Sequence, residues 1–394
     1  MKILQRMHFH RFFFYCLTVV IVSLPIESAP ALTVENKLYS IILEFDNSYG
    51  MTNFDDLLRE EGFRTAYKKG GNNVPRALAA TALVHSFIYS CKENNKRHLE
   101  KAIYLVKGLL DRYPLWTSSL LKPDISFNLA PTTAYNIGLA SWLIWDEMDA
   151  SLKAAVKEML VKESDYSLLR EPASGFLKDT KADENAVVPP LLVLSALLFP
   201  DEANAQKWEE HGHCYAYHSI TTGKDSSFCS LKTITAHDDF TMDNHGFGPH
   251  PLYMAAPLVL FADAALVYMA SGKAVPYELK HNVLPLWKRI KDFVDGDFRW
   301  TTKNSWDPTG LSREVSAVTF VSVVLGIDSE FELKLIDHKF NNQNNIIEKE
   351  VGKVKKLADY DESFFNNAIV AKRYVVSILL HKPEYLIKPP LSMK

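Results

Sequence analysis

Side chains that exchange protons are concentrated in residues 237–253. Six of the 13 histidines of the chain lie between His211 and His250, and this segment adds amide, carboxylate and phenol groups. Four residues that disfavour a continuous helix interrupt it: Gly246, Gly248, Pro249 and Pro251. Because glycine and proline break helices, we expect an ordered loop that directs its polar side chains into a common space. Acid–base chemistry is the function that such groups support.

A second polar stretch, residues 179–186, comes directly before an apolar run. One interpretation is a helix cap, with Asp179 or Thr180 accepting a hydrogen bond from the first turn. The other interpretation is functional and depends on the order of the elements along the chain. An amide-bearing helix start is followed by a helix, a Pro-Asp turn, a second helix and then the histidine-rich loop. Both interpretations are open from the residues alone.

Most of the chain is predicted to be helical. Apolar residues recur at helical spacing, and brief polar breaks separate the runs. The predicted helices span residues 78–89, 98–113, 131–147, 151–162, 182–198, 202–218, 251–270, 277–294, 312–325 and 363–380. Strand patterns are nearly absent outside short stretches such as 232–235. We therefore expect an all-α fold of antiparallel helix hairpins, in an α/α toroid or an irregular α-solenoid, with no β-sandwich domain evident.

The first residues have the pattern of a secretory signal peptide. Lys2, Arg6 and Arg11 precede an apolar stretch over residues 12–24 and a small-residue end over 28–31. The apolar stretch is shorter than the ~20 residues of a membrane span, so no retained span is expected. The sequence predicts removal of residues 1–31, a helical domain over residues 32–394, and a secreted or periplasmic protein.

Charge and cysteine content limit the function further. The formal net charge is −3, and the predicted cleavage makes it more negative, so nucleic acid is not an expected partner. An acidic polysaccharide would need a locally basic or amide-lined cleft. Because an exported chain can oxidise its thiols, Cys214 and Cys229 are predicted to form a loop-closing disulfide, with Cys91 left as a buried thiol.

The chain resembles the heparinase II/III-like group of toroidal polysaccharide lyases over residues 176–325. The resemblance depends on three motifs: Lys181-Ala182-Asp183-Glu184-Asn185-Ala186, Phe199-Pro200-Asp201 with Trp208, and Asn244-His245-Gly246-Phe247-Gly248-Pro249-His250-Pro251-Leu252-Tyr253. Membership implies β-elimination on a polysaccharide that contains uronic acid, such as a glycosaminoglycan or alginate. An amide or imidazole neutralises the C5 carboxylate, a base removes the C5 proton, and a tyrosine protonates the leaving C4 oxygen.

The resemblance also implies roles for individual residues. Asn185 is similar to the carboxylate neutraliser of the group, and Tyr253 is similar to its catalytic phenol. Asn244 and His245 share the neutralisation or supply the base. The residues expected to bind substrate are His237, His250, Glu184 and Arg313. No cofactor and no metal are expected in this mechanism.

Other functions are open from the sequence. The toroid could bind carbohydrate without turnover, or act as an α/α-barrel glycoside hydrolase, which needs two opposed carboxylates. The candidate carboxylates are Asp183, Glu184, Asp238, Asp239 and Asp243. A zinc site at His211, His213 and Cys214 with His218 is a weaker alternative, because His211 and His213 do not share a helical face and Cys214 is a disulfide candidate. Tyr135-Asn136 and Asn366-Asn367 could line a sugar cleft, although such residues are more often exposed or capping.

Overall fold

The segments in which apolar residues recur at helical spacing are helical in the structure. The structure is a computed structural model that describes residues 33–50, 53–120, 129–246, 248–302, 310–341 and 362–386. Its α-helices are α1 Val34–Phe45, α2 Asp55–Leu58, α3 Glu60–Gly70, α4 Asn73–Ile88, α5 Lys96–Asp111, α6 Ala130–Leu143, α7 Ala150–Ser167, α8 Ala182–Ala186, α9 Val188–Leu198, α10 Ala205–Ser219, α11 Pro251–Ala270, α12 Val283–Lys291, α13 Val315–Thr319, α14 Ser329–Asn341 and α15 Glu362–His381. Within these ranges, β-structure is limited to three isolated bridges. The predicted all-α fold class is confirmed.

Several helix boundaries differ from those predicted, for local reasons. The predicted helix 182–198 divides into α8 and α9, because Pro189 and Pro190 lack the amides that would continue α8. The predicted helix 277–294 is reduced to a 3₁₀ turn and α12, because Asn282 adopts a left-handed φ of 56° between them. Helices α1, α2, α3 and α14 occur where no helix was predicted.

Two outer helices begin at side-chain caps. Asp149 accepts a hydrogen bond of 2.7 Å from the amide of Leu152 at the start of α7. Asn95 accepts one of 3.1 Å from the amide of Arg97 at the start of α5. Each cap stabilises its helix by about 1 kcal/mol, because it satisfies an amide that has no partner within the helix. Asp201 does not cap α10, which begins only at Ala205.

The helices that are buried along most of their length contact one another in a closed order. Helix α4 contacts α6, α6 contacts α9, α9 contacts α11, α11 contacts α13, α13 contacts α15, and α15 contacts α4. Each of these inner helices also contacts one outer helix, in the order α5, α7, α10, α12, α14 and α1. The described residues from Val34 onward belong to one compact unit with this neighbour order.

Helix α11 is long and apolar enough to cross a membrane by length and composition. In its most apolar window, 72 % of the residues are buried inside the protein. Its one acidic residue, Asp263, is fully buried and pairs with Lys372 of α15. A core helix has the same properties, so α11 carries no argument for a membrane span. The predicted signal peptide, residues 1–31, lies outside the described residues.

Candidate functional site

The segment before α11 forms the predicted loop. The amide of His250 donates to the carbonyl of Met242 at 2.8 Å, and the amide of Thr180 donates to the carbonyl of Asp243 at 2.8 Å. The amide of Gly246 donates to the carbonyl of Lys178 at 2.7 Å. The first of these bonds lies within the loop, and the other two attach the loop to the chain that enters α8. The two polar stretches of the sequence are therefore neighbours in space.

Tyr253, in the first turn of α11, lies beside the imidazole of His245. The Nε2 atom of His245 is 3.1 Å from the phenol oxygen, and the two rings are nearly perpendicular, at 83°. The side chain of Asn244 hydrogen-bonds the same phenol, and its Oδ1 accepts the backbone amide of His245 at 2.8 Å. His245 holds this position with a left-handed φ of 53°. A phenol next to an imidazole can pass a proton in either direction.

The phenol of Tyr253 keeps its proton at neutral pH. Burial and, to a smaller extent, the nearby carboxylate of Asp183 raise its pKa to about 12, against the opposing effects of the Asn244 hydrogen bond and the charge of Arg76. The ring of His250 packs edge-on against the Tyr253 ring, with centroids 4.9 Å apart. Burial, with a contribution from His245, lowers the pKa of His250 to about 4, so His250 is neutral under the same conditions.

A cavity of about 380 Å³ adjoins Tyr253. Its walls come from α4, α6, α8, α11 and α15, which are far apart in sequence. Besides Tyr253, its charged and amide-bearing residues are Asn73, Arg76, Asn136, Asp183, Lys372 and Arg373. Sequence reasoning missed every one of these except Asn136, which it named as a possible cleft residue, and Asp183, which it named among candidate carboxylates.

Asn136 of α6 is the most unusual residue of the cavity wall. Its side chain is fully buried, yet among the described residues neither its amide nitrogen nor its amide oxygen has a hydrogen-bond partner. The hydroxyl of Thr132, one turn earlier on α6, also has no partner there. A buried unpaired amide costs about 1–3 kcal/mol. Groups of this kind are satisfied when a polar ligand enters the cavity.

Two of the three cations in the cavity wall are held by buried acids. The ammonium group of Lys372 pairs with Asp263, and the guanidinium group of Arg373 pairs with Glu314. Arg373 also donates a hydrogen bond of 3.0 Å to the carbonyl of Arg313. These pairs fix the direction of the cationic groups, and each buried acid offsets part of the positive charge that the wall presents to a ligand.

Asp183 supplies a carboxyl group to the same cavity. Burial raises its pKa to about 7, and repulsion from Glu184 adds to the shift. The group therefore changes its protonation state near neutral pH. The predicted N-cap at Asp179 or Thr180 is wrong, because Lys181 occupies the N-cap position of α8 and makes no side-chain capping bond. The hydroxyl oxygen of Thr180 accepts the amide of Ala182 at 3.1 Å from one residue earlier.

Asn185 does not line the cavity, although it was predicted to neutralise the substrate. It donates both amide hydrogens to backbone carbonyls, to Ala173 at 2.9 Å and to His218 at 3.0 Å. Its oxygen accepts the amide of Ala173 at 2.9 Å. The side chain therefore joins α8 to two neighbouring segments. The structure brings His245, Asn244 and Tyr253 together and directs Asn185 elsewhere.

The other predicted binding residues are mostly engaged by protein groups. Glu184 accepts a hydrogen bond of 2.6 Å from Lys181. The Nε2 atom of His237 lies 3.3 Å from a carboxylate oxygen of Asp243. Neither of these side chains lines the cavity, and Arg313 does not either, whereas Arg373 does.

The thiols and the alternative zinc residues have separate surroundings. Cys91, Cys214 and Cys229 are free thiols, and those of Cys214 and Cys229 hydrogen-bond each other. The predicted disulfide is therefore not formed in this structure, although its two cysteines are adjacent. The three histidines of the alternative zinc site bond to different groups: His211 to the carbonyl of Arg170, His213 to the phenol of Tyr268, and His218 to Thr233 and Phe228.

Comparison of the chain with family models, with curated proteins and with solved structures finds no significant match in any of the three.

Proposed function

We propose that this protein is a secreted or periplasmic polysaccharide lyase, which cleaves an acidic polysaccharide beside a uronic acid by β-elimination. The observation that carries the proposal is the pairing of a proton-transfer group with an unpartnered amide at one cavity. Tyr253 has an imidazole 3.1 Å from its phenol, and the buried amide of Asn136 faces the same space without a partner in the described chain.

In this proposal the C5 carboxylate of the uronic acid binds the amide of Asn136. Arg76 and Arg373 supply positive charge from the same wall. Hydrogen bonds and fixed charge stabilise the carbanion-like state that follows loss of the C5 proton, and preorganised groups of this kind contribute several kcal/mol. Asn136 thus takes the role that the sequence assigned to Asn185.

His245 removes the C5 proton, and the electrons of the broken C5–H bond form the C4–C5 double bond. The C4–O bond breaks as this double bond forms, after the C5 proton has left. Tyr253 gives its proton to the leaving C4 oxygen, which it can do because its raised pKa keeps the phenol protonated at neutral pH. His245 then returns a proton to Tyr253 across their 3.1 Å contact.

The closed order of inner helices supports an α/α toroid as the scaffold. The inner helices α4, α6, α9, α11, α13 and α15 each contact the next, and each contacts one outer helix. A ring of helix hairpins requires this neighbour order. The cavity lies where α4 and α6 begin, since Asn73, Arg76, Thr132 and Asn136 all come from the first halves of these two helices.

A glycoside hydrolase would use the cavity differently. It needs two opposed carboxylates, and Asp183 is the one carboxylate in the cavity wall among the described residues. Incubating the protein with alginate, heparan, chondroitin and pectic polysaccharides separates the functions. A lyase produces the ultraviolet absorbance of the conjugated C4–C5 double bond. New reducing ends without this absorbance would establish a hydrolase, and binding without cleavage would establish a carbohydrate-binding protein.

A further inference from the structure

A second polar cluster lies near the other end of α4. It consists of His85 on α4, His98 in the first turn of α5, and Asp46 in the turn Asp46–Gly50 that follows α1. Arg76, in the cavity wall, precedes His85 by nine residues on the same helix, about 14 Å along its axis. The cluster is therefore separate from the proposed active site.

Three potential ligand atoms of the cluster face one another. The Nδ1 atoms of His85 and His98 are 3.0 Å apart. The Oδ1 atom of Asp46 is 3.6 Å from Nδ1 of His85 and 3.8 Å from Nδ1 of His98. In a tetrahedral zinc site with bonds of about 2.0–2.1 Å, neighbouring ligand atoms are about 3.3 Å apart. The observed separations lie on both sides of this value, so an ion can sit between the three atoms after small rotations of the side chains.

The burial of the cluster favours a bound cation. His85 is 1 % exposed, His98 is 5 % exposed, and Oδ1 of Asp46 is buried without a hydrogen-bond partner among the described residues. A buried carboxylate oxygen that no group satisfies is costly.

A carboxylate lies near one of the three ligands. The other ring nitrogen of His98, Nε2, lies 3.9 Å from Glu93, and Glu93 is in turn held by the hydroxyl of Tyr39 at 2.8 Å. Carboxylates commonly orient metal-binding histidines from this position. The positive charges of Arg97 and Lys101 act on Asp46 and oppose a dication. Binding must therefore come mainly from the coordinate bonds of the two imidazoles.

We propose that His85, His98 and Asp46 form a structural Zn²⁺ site, with two imidazole nitrogens and one carboxylate oxygen as ligands. The ion joins α1, α4 and α5, which belong to different parts of the chain. Two imidazoles and one carboxylate form a donor set suited to zinc. The site stabilises the fold, and the proposed elimination does not depend on it.

The test is to strip the full-length protein with a chelator, dialyse it, and titrate it with Zn²⁺ alone while heat and melting temperature are measured. The expected results are about one bound zinc per chain and a higher melting temperature with zinc than without it. His98→Gln should weaken zinc binding at least about a hundredfold, a loss larger than second-shell changes produce. The matched control is His213→Gln, which removes a part-buried histidine outside the cluster and should keep the affinity.

Replacing Zn²⁺ by Co²⁺ keeps the proposal testable if His98→Gln does not fold. Co²⁺ in the wild-type site should give the strong visible absorbance of a tetrahedral ion with nitrogen and oxygen ligands. Absence of zinc binding to the wild-type protein, or unchanged binding in a folded His98→Gln variant, overturns the proposal. In that case the two imidazoles share a proton through their 3.0 Å contact and need no metal.

Discussion

Helix α4 carries a buried polar cluster near each end, and the two clusters differ in how their polar atoms are satisfied. At the Arg76 end, a fully buried amide faces a cavity of about 380 Å³ and has no partner in the described chain. At the His85 end, three ligand atoms face one another at 3.0–3.8 Å, around space for one ion. Unpaired polar groups beside a cavity indicate a ligand that binds reversibly. Potential ligand atoms that converge on a single point indicate a permanently bound ion.

Tyr253→Phe, a change at the cavity, is expected to have the largest effect of the variants that test this difference between the two clusters. The change removes the proton donor but keeps the ring that packs on His250. Turnover should fall about 10²–10⁴-fold, the usual contribution of one proton-transfer group, while KM changes little. The measurement is kcat and KM from the ultraviolet absorbance of the unsaturated product.

Tyr277→Phe is the matched control for this change. Tyr277 is 63 % exposed, and its hydroxyl bonds the ring of His281 at 3.0 Å, outside the cavity wall. Its loss should leave kcat unchanged. An equal fall in kcat for both variants, or none for Tyr253→Phe, would remove Tyr253 from the proposed mechanism.

Much of the fold could be predicted because burial leaves a pattern in the sequence. The ends of α11 agree with the predicted residues 251–270, since an apolar run bounded by Pro251 and by the Ser271-Gly272 turn leaves little choice. The outer helices α1 and α14 were missed. In α1 the buried residues Leu38, Ile41, Ile42 and Phe45 do recur at helical spacing, so this helix could have been predicted. In α14 charged residues occur throughout the sequence, and packing on the inner helices stabilises it.

The candidate site could be predicted only where its residues are close in sequence. His245, Asn244 and Tyr253 lie within ten residues, and their convergence follows from the loop before α11. Arg76, Asn136 and Lys372 come from three helices, and only packing brings them to one cavity. The backbone contacts of Asn185 could not be predicted, because an amide that binds backbone and an amide that binds substrate are indistinguishable in a sequence.

The second prediction compares two buried asparagines. Asn136→Leu keeps the approximate shape of the side chain and removes an amide that has no partner in the described chain. The free energy of unfolding should stay the same or rise by about 1 kcal/mol. The value of kcat/KM should fall about 10–100-fold, because the carboxylate of the substrate loses a hydrogen bond. Urea unfolding and steady-state kinetics measure the two effects.

Asn185→Leu should have the opposite effect on stability. It removes three hydrogen bonds to the backbone of Ala173 and His218 and leaves those groups buried. The expected loss is about 2–4 kcal/mol of unfolding free energy. If Asn136→Leu is instead the destabilising change, its amide has a structural partner and the argument for a ligand at the cavity is lost.

The smallest expected effect is the pH dependence that Asp183 gives to the cavity. Its folded-state pKa of about 7 lies above the value of about 3.9 in an unfolded chain. Its contribution to stability is therefore present below about pH 3.9, and it is lost as pH rises through about 7. Asp183→Asn cannot ionise, so the variant should gain stability relative to the wild type as pH rises across this interval. Urea unfolding at several pH values measures the difference.

The same ionisation should change turnover several-fold. Above about pH 7 the ionised Asp183 repels an anionic substrate in a cavity that also contains Arg76, so kcat/KM of the wild type should fall while that of Asp183→Asn stays level. Asp179→Asn is the control, because that side chain is 52 % exposed and lies outside the cavity wall. A wild-type rate that rises through pH 7, with the rise absent in Asp183→Asn, would instead make Asp183 the base in place of His245. Either pH profile would place a proton exchange that affects kcat/KM at the Arg76 end of α4, because Asp183 belongs to the cavity wall there.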